Sequence, residues 1–289
     1  MLKFGSVVLL SVVAIAGIGP GAPSSPRPIA GGRFEASGVV GIRGTTAALF
    51  IDDSRPHEVF WMQLNREGQQ EGSAVPLPLG VDIFDPEDIA TDGTAFYVVS
   101  SLSKESTEAA DVVRFTLDLE AKRVRHVQTL RGLRAQVTRA LSELQVRGAP
   151  DVEGLAWDPR GKRLLVGFRS PLKGADALVI PLQLRDGERA AEMKATAGEA
   201  IHLPLGGAGI RGLGFDDRAQ QFLVISGAAD NGGAIPFRVL EWEGPSSPKT
   251  RELTRFAADM KPEGISPISL GERTAKLIVF DTGHYLVTD

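Results

Sequence analysis

Three features of the sequence predict an all-β fold, a β-propeller of about five four-stranded blades with one inserted amphipathic helix. A motif recurs along the chain with steps of 50, 66, 58 and 52 residues, periods that suit propeller blades. Within each unit, short apolar runs are separated by turn residues, as in antiparallel hairpins. The chain contains no cysteine, so blade packing and sheet closure must supply what disulfides would otherwise add.

The chain begins with what reads as an address. Lys3 precedes an uncharged run from Phe4 to Ile18, and Ala14-Ile15-Ala16 has the small-x-small form of a cleavage site. A run of this length falls short of the roughly 20 residues a membrane-spanning helix requires, and Gly19-Pro20-Gly21 breaks it. Residues 1–22 are therefore read as a secretory signal peptide, cleaved after Ala16 or shortly beyond, with export to the periplasm or the cell exterior. An uncleaved anchor is the alternative. Residues 23–32, with their prolines and serines, read as a disordered tether, and 33–289 as one propeller domain, a size that single all-β domains reach.

The clearest repeat is gapless at an offset of 58: the stretch from Gly154 to Val166 aligns with that from Gly212 to Val224, sharing Gly, Leu, Asp, Arg, Leu and Val in register. The same scheme recurs from Asp88 into Phe96-Tyr-Val-Val-Ser, from Gly264 into Lys276-Leu-Ile-Val-Phe, and more faintly from Gly38 into Ala47-Ala-Leu-Phe-Ile. Turns fall at Asp92-Gly93, Asp158-Pro159-Arg160-Gly161 and Asp216-Asp217. Third strands are expected at Val59–Leu64, Val112–Leu117, Ala177–Leu182 and Arg238–Trp242. Fourth strands are expected at Val75–Leu79, Val124–Leu130, Ala200–Leu205 and Arg251–Phe256. The last unit is short of a strand, which a segment near Arg33 would complete from the other terminus. A sixth blade would need 103–150 to supply more strands than it shows.

One stretch has a different period. In 131–146, Leu133, Val137, Leu141 and Leu144 share a helical face, whereas Arg131, Arg134 and Arg139 lie mostly off it. This predicts a helix between blades that covers apolar surface, with partner binding as the alternative, and it accounts for the step of 66.

Hydrophobic residues make up 43% of the chain, enough for a core. The net charge of −4, one more negative without Lys3, argues against nucleic acid as a partner. The expected partners are a small molecule, a carbohydrate or an envelope protein, and the chain is expected to act as a monomer.

In a propeller the first strand of every blade lines the channel, so the residue before each repeat start joins a ring: Ser37, Glu87, Glu153, Arg211 and Glu263. Glu35 lies on the same strand face as Ser37, and Asp88 and Asp151 flank the ring. Loops opening on the same side carry Asp52, Asp53, Ser101, Arg169, Ser170, Asp230, Asn231 and Asp281. Carboxyls crowded round a narrow channel raise one another's pKa and need compensation. Either Arg211 and Arg169 pair with them, or a hard cation takes oxygen ligands from Glu87, Glu153 and Glu263. Ca2+ or Mg2+ would suit that oxygen set better than zinc. The four histidines, His57, His126, His202 and His284, have no ligand spacing. No Gly-x-Ser-x-Gly, His-Glu-x-x-His or phosphate-binding Gly-x-x-x-x-Gly-Lys-Ser/Thr signature is present. The loop from Gly227 to Gly233 reads as glycine-rich linkage, with anion or metal binding through Asp230 as the alternative. Arg169 beside Ser170 would suit a phosphate or carboxylate, or a blade-to-blade ion pair.

The Glu-Gly-Leu-Ala-Trp-Asp-Pro stretch from Glu153, Gly-Phe-Arg-Ser-Pro-Leu from Gly167, Ile-Arg-Gly-Leu-Gly-Phe-Asp from Ile210 and Lys261-Pro-Glu-Gly-Ile together resemble an uncharacterised bacterial family, the domain-of-unknown-function family 3616. The resemblance runs from about Arg33 to the end and implies a fold without an activity. More distantly, the Glu-Gly starts are similar to exported propellers of phytase-like, esterase-like or lactonase-like activity, some of which hold a divalent metal near the channel. That likeness is architectural and transfers no catalytic residue. Two functions stand: a binding or scaffold protein using the loop face around its channel, or a divalent-metal-dependent hydrolase of a phosphoester, ester or lactone. In the second, Glu153 would lead the metal ligands, Arg211 and Arg169 would neutralise anionic oxygens, and Glu87 or Glu263 would complete the shell or act as base.

Overall fold

Five antiparallel sheets, each one blade, stand round a central channel in a computed structural model that describes residues 25–106, 108–230 and 235–289. The segment read as a signal peptide lies outside the described residues. A two-residue strand, β1 (Arg27–Pro28), comes first. Blade 1 is β2 (Ala36–Gly41), β3 (Ala47–Asp52), β4 (Glu58–Gln63) and β5 (Val75–Pro78); blade 2 is β6 (Pro86–Thr91), β7 (Phe96–Ser100), β8 (Val112–Asp118) and β9 (Arg123–Leu130). After the helix α1 (Leu133–Glu143), blade 3 is β10 (Asp151–Asp158), β11 (Arg163–Ser170), β12 (Ala177–Asp186), β13 (Met193–Ala197) and β14 (Ile201–Leu203). Blade 4 is β15 (Ala208–Asp216), β16 (Gln221–Ala228), β17 (Phe237–Trp242) and β18 (Thr250–Phe256), and blade 5 is β19 (Pro262–Leu270), β20 (Arg273–Phe280) and β21 (His284–Thr288). The inner strands β2, β6, β10, β15 and β19 touch in that order and close the circle.

Each blade is buried on both faces, which explains why its strands read as nearly continuous apolar runs. Alternate side chains serve opposite neighbours. In β3, Ala48 and Phe50 join the core against blade 5, while Ala47, Leu49 and Ile51 join the core against blade 2. One such cluster fills every gap between adjacent blades, and five of them replace a single central core. The expected turns form: the Asp92, Asp158 and Asp216 side chains each accept backbone N–H bonds from residues two and three positions on.

Two expectations are corrected. The strand that completes blade 5 is β1 and not a segment near Arg33: Arg27 pairs with Tyr285 and Pro28 with His284 on β21. Arg27 and Pro28 therefore belong to the sheet and not to a disordered tether, and beyond them Ile29 is 3% exposed and its N–H bonds to the Gly283 carbonyl. In blade 3, the outer position is shared. β12 is ten residues long, so β14 pairs with its first part and β13 with its last part.

The helix forms within its predicted range. Leu133, Val137 and Leu141 are buried in the core between blades 2 and 3. Its first turn is capped at a distance, because Leu133 N–H donates to Asp111 Oδ2 at 2.7 Å, and Lys173 Nζ donates to the Leu144 carbonyl at its C-terminal end. Among the described residues, no helix is long and apolar enough to cross a membrane.

Every inner strand carries a β-bulge at the same level. The pairing skips one residue between Ala36 and Gly38, Pro86 and Asp88, Val152 and Gly154, Ile210 and Gly212, and Pro262 and Gly264. The skipped residues are Ser37, Glu87, Glu153, Arg211 and Glu263, the whole predicted ring. Bulges re-aim side chains, and five in register gather these residues at one end of the channel.

Candidate functional site

Arg211 organises the ring. Its Nη1 donates to Glu153 Oε1 at 3.0 Å, and its Nε lies 2.8 Å from Glu153 Oε2 as an ion-pair contact without hydrogen-bond geometry. Its Nη2 pairs with Glu263 Oε1, and its guanidinium stands 5.9 Å from the Phe237 ring centroid. Arg169 Nη1 donates to Glu153 Oε1 at 2.8 Å, and Arg169 Nε is 3.7 Å from Asp151 Oδ2. At the rim, Lys261 Nζ donates to Asp281 Oδ2 at 2.6 Å.

Backbone spacing requires glycine beside the ring. A Cβ on Gly212 would strike the Glu263 carbonyl oxygen, and one on Gly38 would come within 2.7 Å of Asp88 Cα and Oδ1. Strands brought this close place carboxyls from different blades in one another's field.

Burial then sets the electrostatics. It pushes Glu153 up to about 7 against the pull of Arg211 and Arg169, and Glu263 up to about 7 against Arg211, with Glu153 and Asp281 adding to the rise. Glu87 is raised well above the carboxylate range by burial and then by Glu153, Asp85, Glu263 and Asp151. Asp53 rises to about 7 through burial and the charges of Glu35, Asp52, Asp281 and Glu263. Burial works against the Arg211 charge, but Glu153 and Glu263 outweigh it and hold the guanidinium protonated.

Asp88 closes the channel below the ring. It occupies the position held by glycine in the other four blades and is 1% exposed. Its Oδ2 accepts the N–H groups of Leu155 at 2.7 Å and Leu213 at 3.1 Å, and its Oδ1 that of Ile89 at 2.8 Å. Burial raises its pKa strongly while these three donors pull it back. One side chain of blade 2 thus ties blades 3 and 4 at the channel centre.

The remaining predicted residues divide. Glu35 and Ser37 stand at the mouth, where the Ser37 hydroxyl donates to the Glu35 carbonyl at 3.4 Å. Asp52 is fully buried and accepts from the Ser54 N–H and hydroxyl. The Ser101 hydroxyl bonds to that of Ser103, and its carbonyl accepts from Val152 N–H across the blade boundary. Ser170 pairs with Asp151 at the end of β11. Asp230 is exposed at the start of a loop whose next residue, Asn231, lies outside the described residues. His57, His126, His202 and His284 stay apart from the ring. Asp85 and Lys261 were missed as members of the mouth. Both lie two residues before a ring position, as Glu35 and Asp151 do, so the period-2 rule that found Glu35 would have found them.

The donor set does not fit a resident cation. Glu87, Glu153 and Glu263 do lie in one another's field, but Arg211 is already bonded to two of them. Among the described residues no group of three or more His, Asp or Glu side chains is arranged to hold a metal ion.

A cavity of about 630 Å³ opens at the opposite mouth, beyond Asp88. The residues three past each repeat start face it: Gly41, Thr91, Trp157, Phe215 and Pro267.

No curated protein matches the sequence. Among solved structures, the chain is similar to Myxococcus xanthus glutaminyl cyclase at 12% identity and a TM-score of 0.49, with 93% of this chain and 95% of that one covered. It is similar to a Xanthomonas campestris gluconolactonase at 12% identity and a TM-score of 0.44, covering 95% and 99%. A putative 6-phosphogluconolactonase from Bacteroides uniformis aligns at 12% identity and a TM-score of 0.38, covering 84% and 66%. Residues 147–283, which carry the Glu-Gly-Leu, Ile-Arg-Gly and Lys-Pro-Glu-Gly motifs, match the family described as protein of unknown function (DUF3616).

Proposed function

We propose that this chain is an exported binding protein whose loop face around the Arg211 ring receives a cationic group from its partner. The observation that supports this is an excess of carboxyls at one mouth. Glu35, Asp52, Asp53, Asp85, Glu87, Asp151, Glu153, Glu263 and Asp281 act on one another there, and the cations paired with them are Arg55, Arg169, Arg211 and Lys261. Asp53 Oδ1 is buried without a hydrogen-bond partner, and Asp52 Oδ2 has Arg55 Nε at 3.8 Å but accepts no hydrogen bond. Asp53, which burial and then the neighbouring carboxylates push up to about 7, gives up its proton when an ammonium or guanidinium arrives, so binding is coupled to proton release. A small organic amine or a basic side chain on an envelope protein has the required chemistry. The metal-hydrolase reading would require Arg211 to leave Glu153 and Glu263.

Calorimetric titration of the mature protein with arginine amide and with a short Lys/Arg peptide tests this reading, run at pH 6 and pH 8 in buffers of different ionisation enthalpy. The expected result is saturable binding with net proton release near pH 7, weakened in Asp53→Asn. Failure of both probes to bind, or equal binding of a neutral amide of the same size, would refute it. Export is tested separately: mass spectrometry of the secreted chain should place its N-terminus shortly after Ala16.

A further inference from the structure

We propose that the channel's second mouth, on the far side of Asp88, is a separate binding site for a neutral sugar ring. Asp88 and its backbone donors divide the channel, so this cavity shares no space with the carboxyl mouth. Its volume of about 630 Å³ lies within the range of small-ligand sites.

The wall is asymmetric. Trp157 and Phe215, equivalent residues of blades 3 and 4, present half-buried aromatic rings, while the same position in the other blades is Gly41, Thr91 or Pro267, which leaves room opposite them. Trp157 is held in place by stacking on Tyr97, with centroids 5.8 Å apart and planes 5° apart, and the Tyr97 hydroxyl donates to Asp92 Oδ2 at 2.7 Å. Phe215 packs against Phe222 at 4.9 Å. A platform fixed in this way loses little freedom when a ligand lands on it.

The rim is polar and its charge balances, with Arg43 and Arg160 against Asp92 and Asp217. An anion would meet both carboxylates and a cation both guanidinium groups. A purely apolar ligand would strip water from rim groups without replacing their hydrogen bonds. The Thr94 and Ser269 hydroxyls make no hydrogen bond among the described residues. A sugar satisfies all of these conditions: its C–H face lies on an aromatic ring, its hydroxyls both donate and accept at the rim, and it carries no charge. Across the opening runs the Arg43–Asp217 pair, which joins non-adjacent blades 1 and 4. Both side chains are mostly exposed, so the pair is weakly held and yields to an entering ligand.

Trp157 gives the site its own signal, because it lines the cavity and Trp61 and Trp242 do not. The mature protein is titrated, with fluorescence and calorimetry, against the methyl glycosides of glucose, galactose, mannose and N-acetylglucosamine and against cellobiose and maltose, up to about 50 mM. The expected result is a saturable change in Trp157 emission with at least one sugar. By calorimetry, affinity should fall at least about tenfold in Trp157→Leu and measurably in Thr94→Ala with Ser269→Ala, two exposed changes that leave the fold intact. Glu153→Gln, at the other mouth, should leave sugar affinity unchanged. The proposal is overturned if no sugar in the panel gives a saturable response, if Trp157→Leu binds as well as wild type, or if only an apolar dye binds.

Discussion

Arg211→Met isolates what the guanidinium does for the ring. The substitution keeps much of the side-chain volume and leaves Glu153 and Glu263 buried without their shared partner. Removing one member of a buried ion pair costs about 3–5 kcal/mol when the other stays charged. Here the stranded carboxyls have an escape, because burial already holds both near 7 and loss of Arg211 pushes them higher. A folded-state pKa raised above the unfolded value of 4.5 gives stability that is present below pH 4.5 and lost as pH rises through the folded value. At pH 5 the carboxyls are protonated in the variant, and the deficit falls to roughly 1 kcal/mol, the scale of lost hydrogen bonds. At pH 8 it approaches the full 3–5 kcal/mol cost, about 4 kcal/mol. At about 2–4 °C per kcal/mol for a domain of this size, the Tm deficit should grow from about 3 °C to about 10 °C. Circular-dichroism melts of wild type and variant at pH 5 and pH 8 measure the difference directly. Equal deficits at both pH values, or a larger one at pH 5, would refute the account of Arg211 as the counter-charge of a buried carboxyl pair.

Glu87→Gln should raise the Tm at pH 8 and change it little at pH 5, since Glu87 is raised by burial and four neighbouring carboxyls and loses its proton only at cost; melts at the two pH values check it. Excess calcium or magnesium, or a chelator, should leave the wild-type Tm unmoved, because Arg211 already bonds two of the three candidate ligands. A cation-dependent rise that disappears in Glu153→Gln would instead place a metal in the ring. Asp88→Ala should destabilise by about 1–3 kcal/mol for each stranded donor, the N–H groups of Leu155 and Leu213. Urea denaturation reads that loss, and a neutral substitution would mean that Asp88 does not tie the blades.

Much of the fold was legible because a blade is a repeated unit and repetition shows in the chain. The offset of 58 between the Gly154 and Gly212 segments located two inner strands, and the residue before each start located the ring. Periodicity alone found α1, whose Leu133, Val137 and Leu141 face the core. β1 escaped notice because two residues, Arg27 and Pro28, have no strand pattern of their own and become a strand only where β21 offers an unpaired edge. Trp157 and Phe215 were visible as matched positions within the repeat. Their exposure depends on Gly41, Thr91 and Pro267 across the channel, residues that are distant in sequence and too small to cover them.

The chain's own order of residues determined the five units, their inner strands and turns, and which side chains would meet at one level, since these follow from local periodicity and from equal positions in equal units. Tertiary structure alone decided the chemistry at that level. Arg211 grips Glu153 from 58 residues away and Glu263 from 52, and Asp88 finds its donors 67 and 125 residues along the chain. The order of blades round the ring and the bulge in each inner strand set which charges meet and which carboxyls lose solvent. Pairing and burial, not residue type, therefore determine which of them are charged.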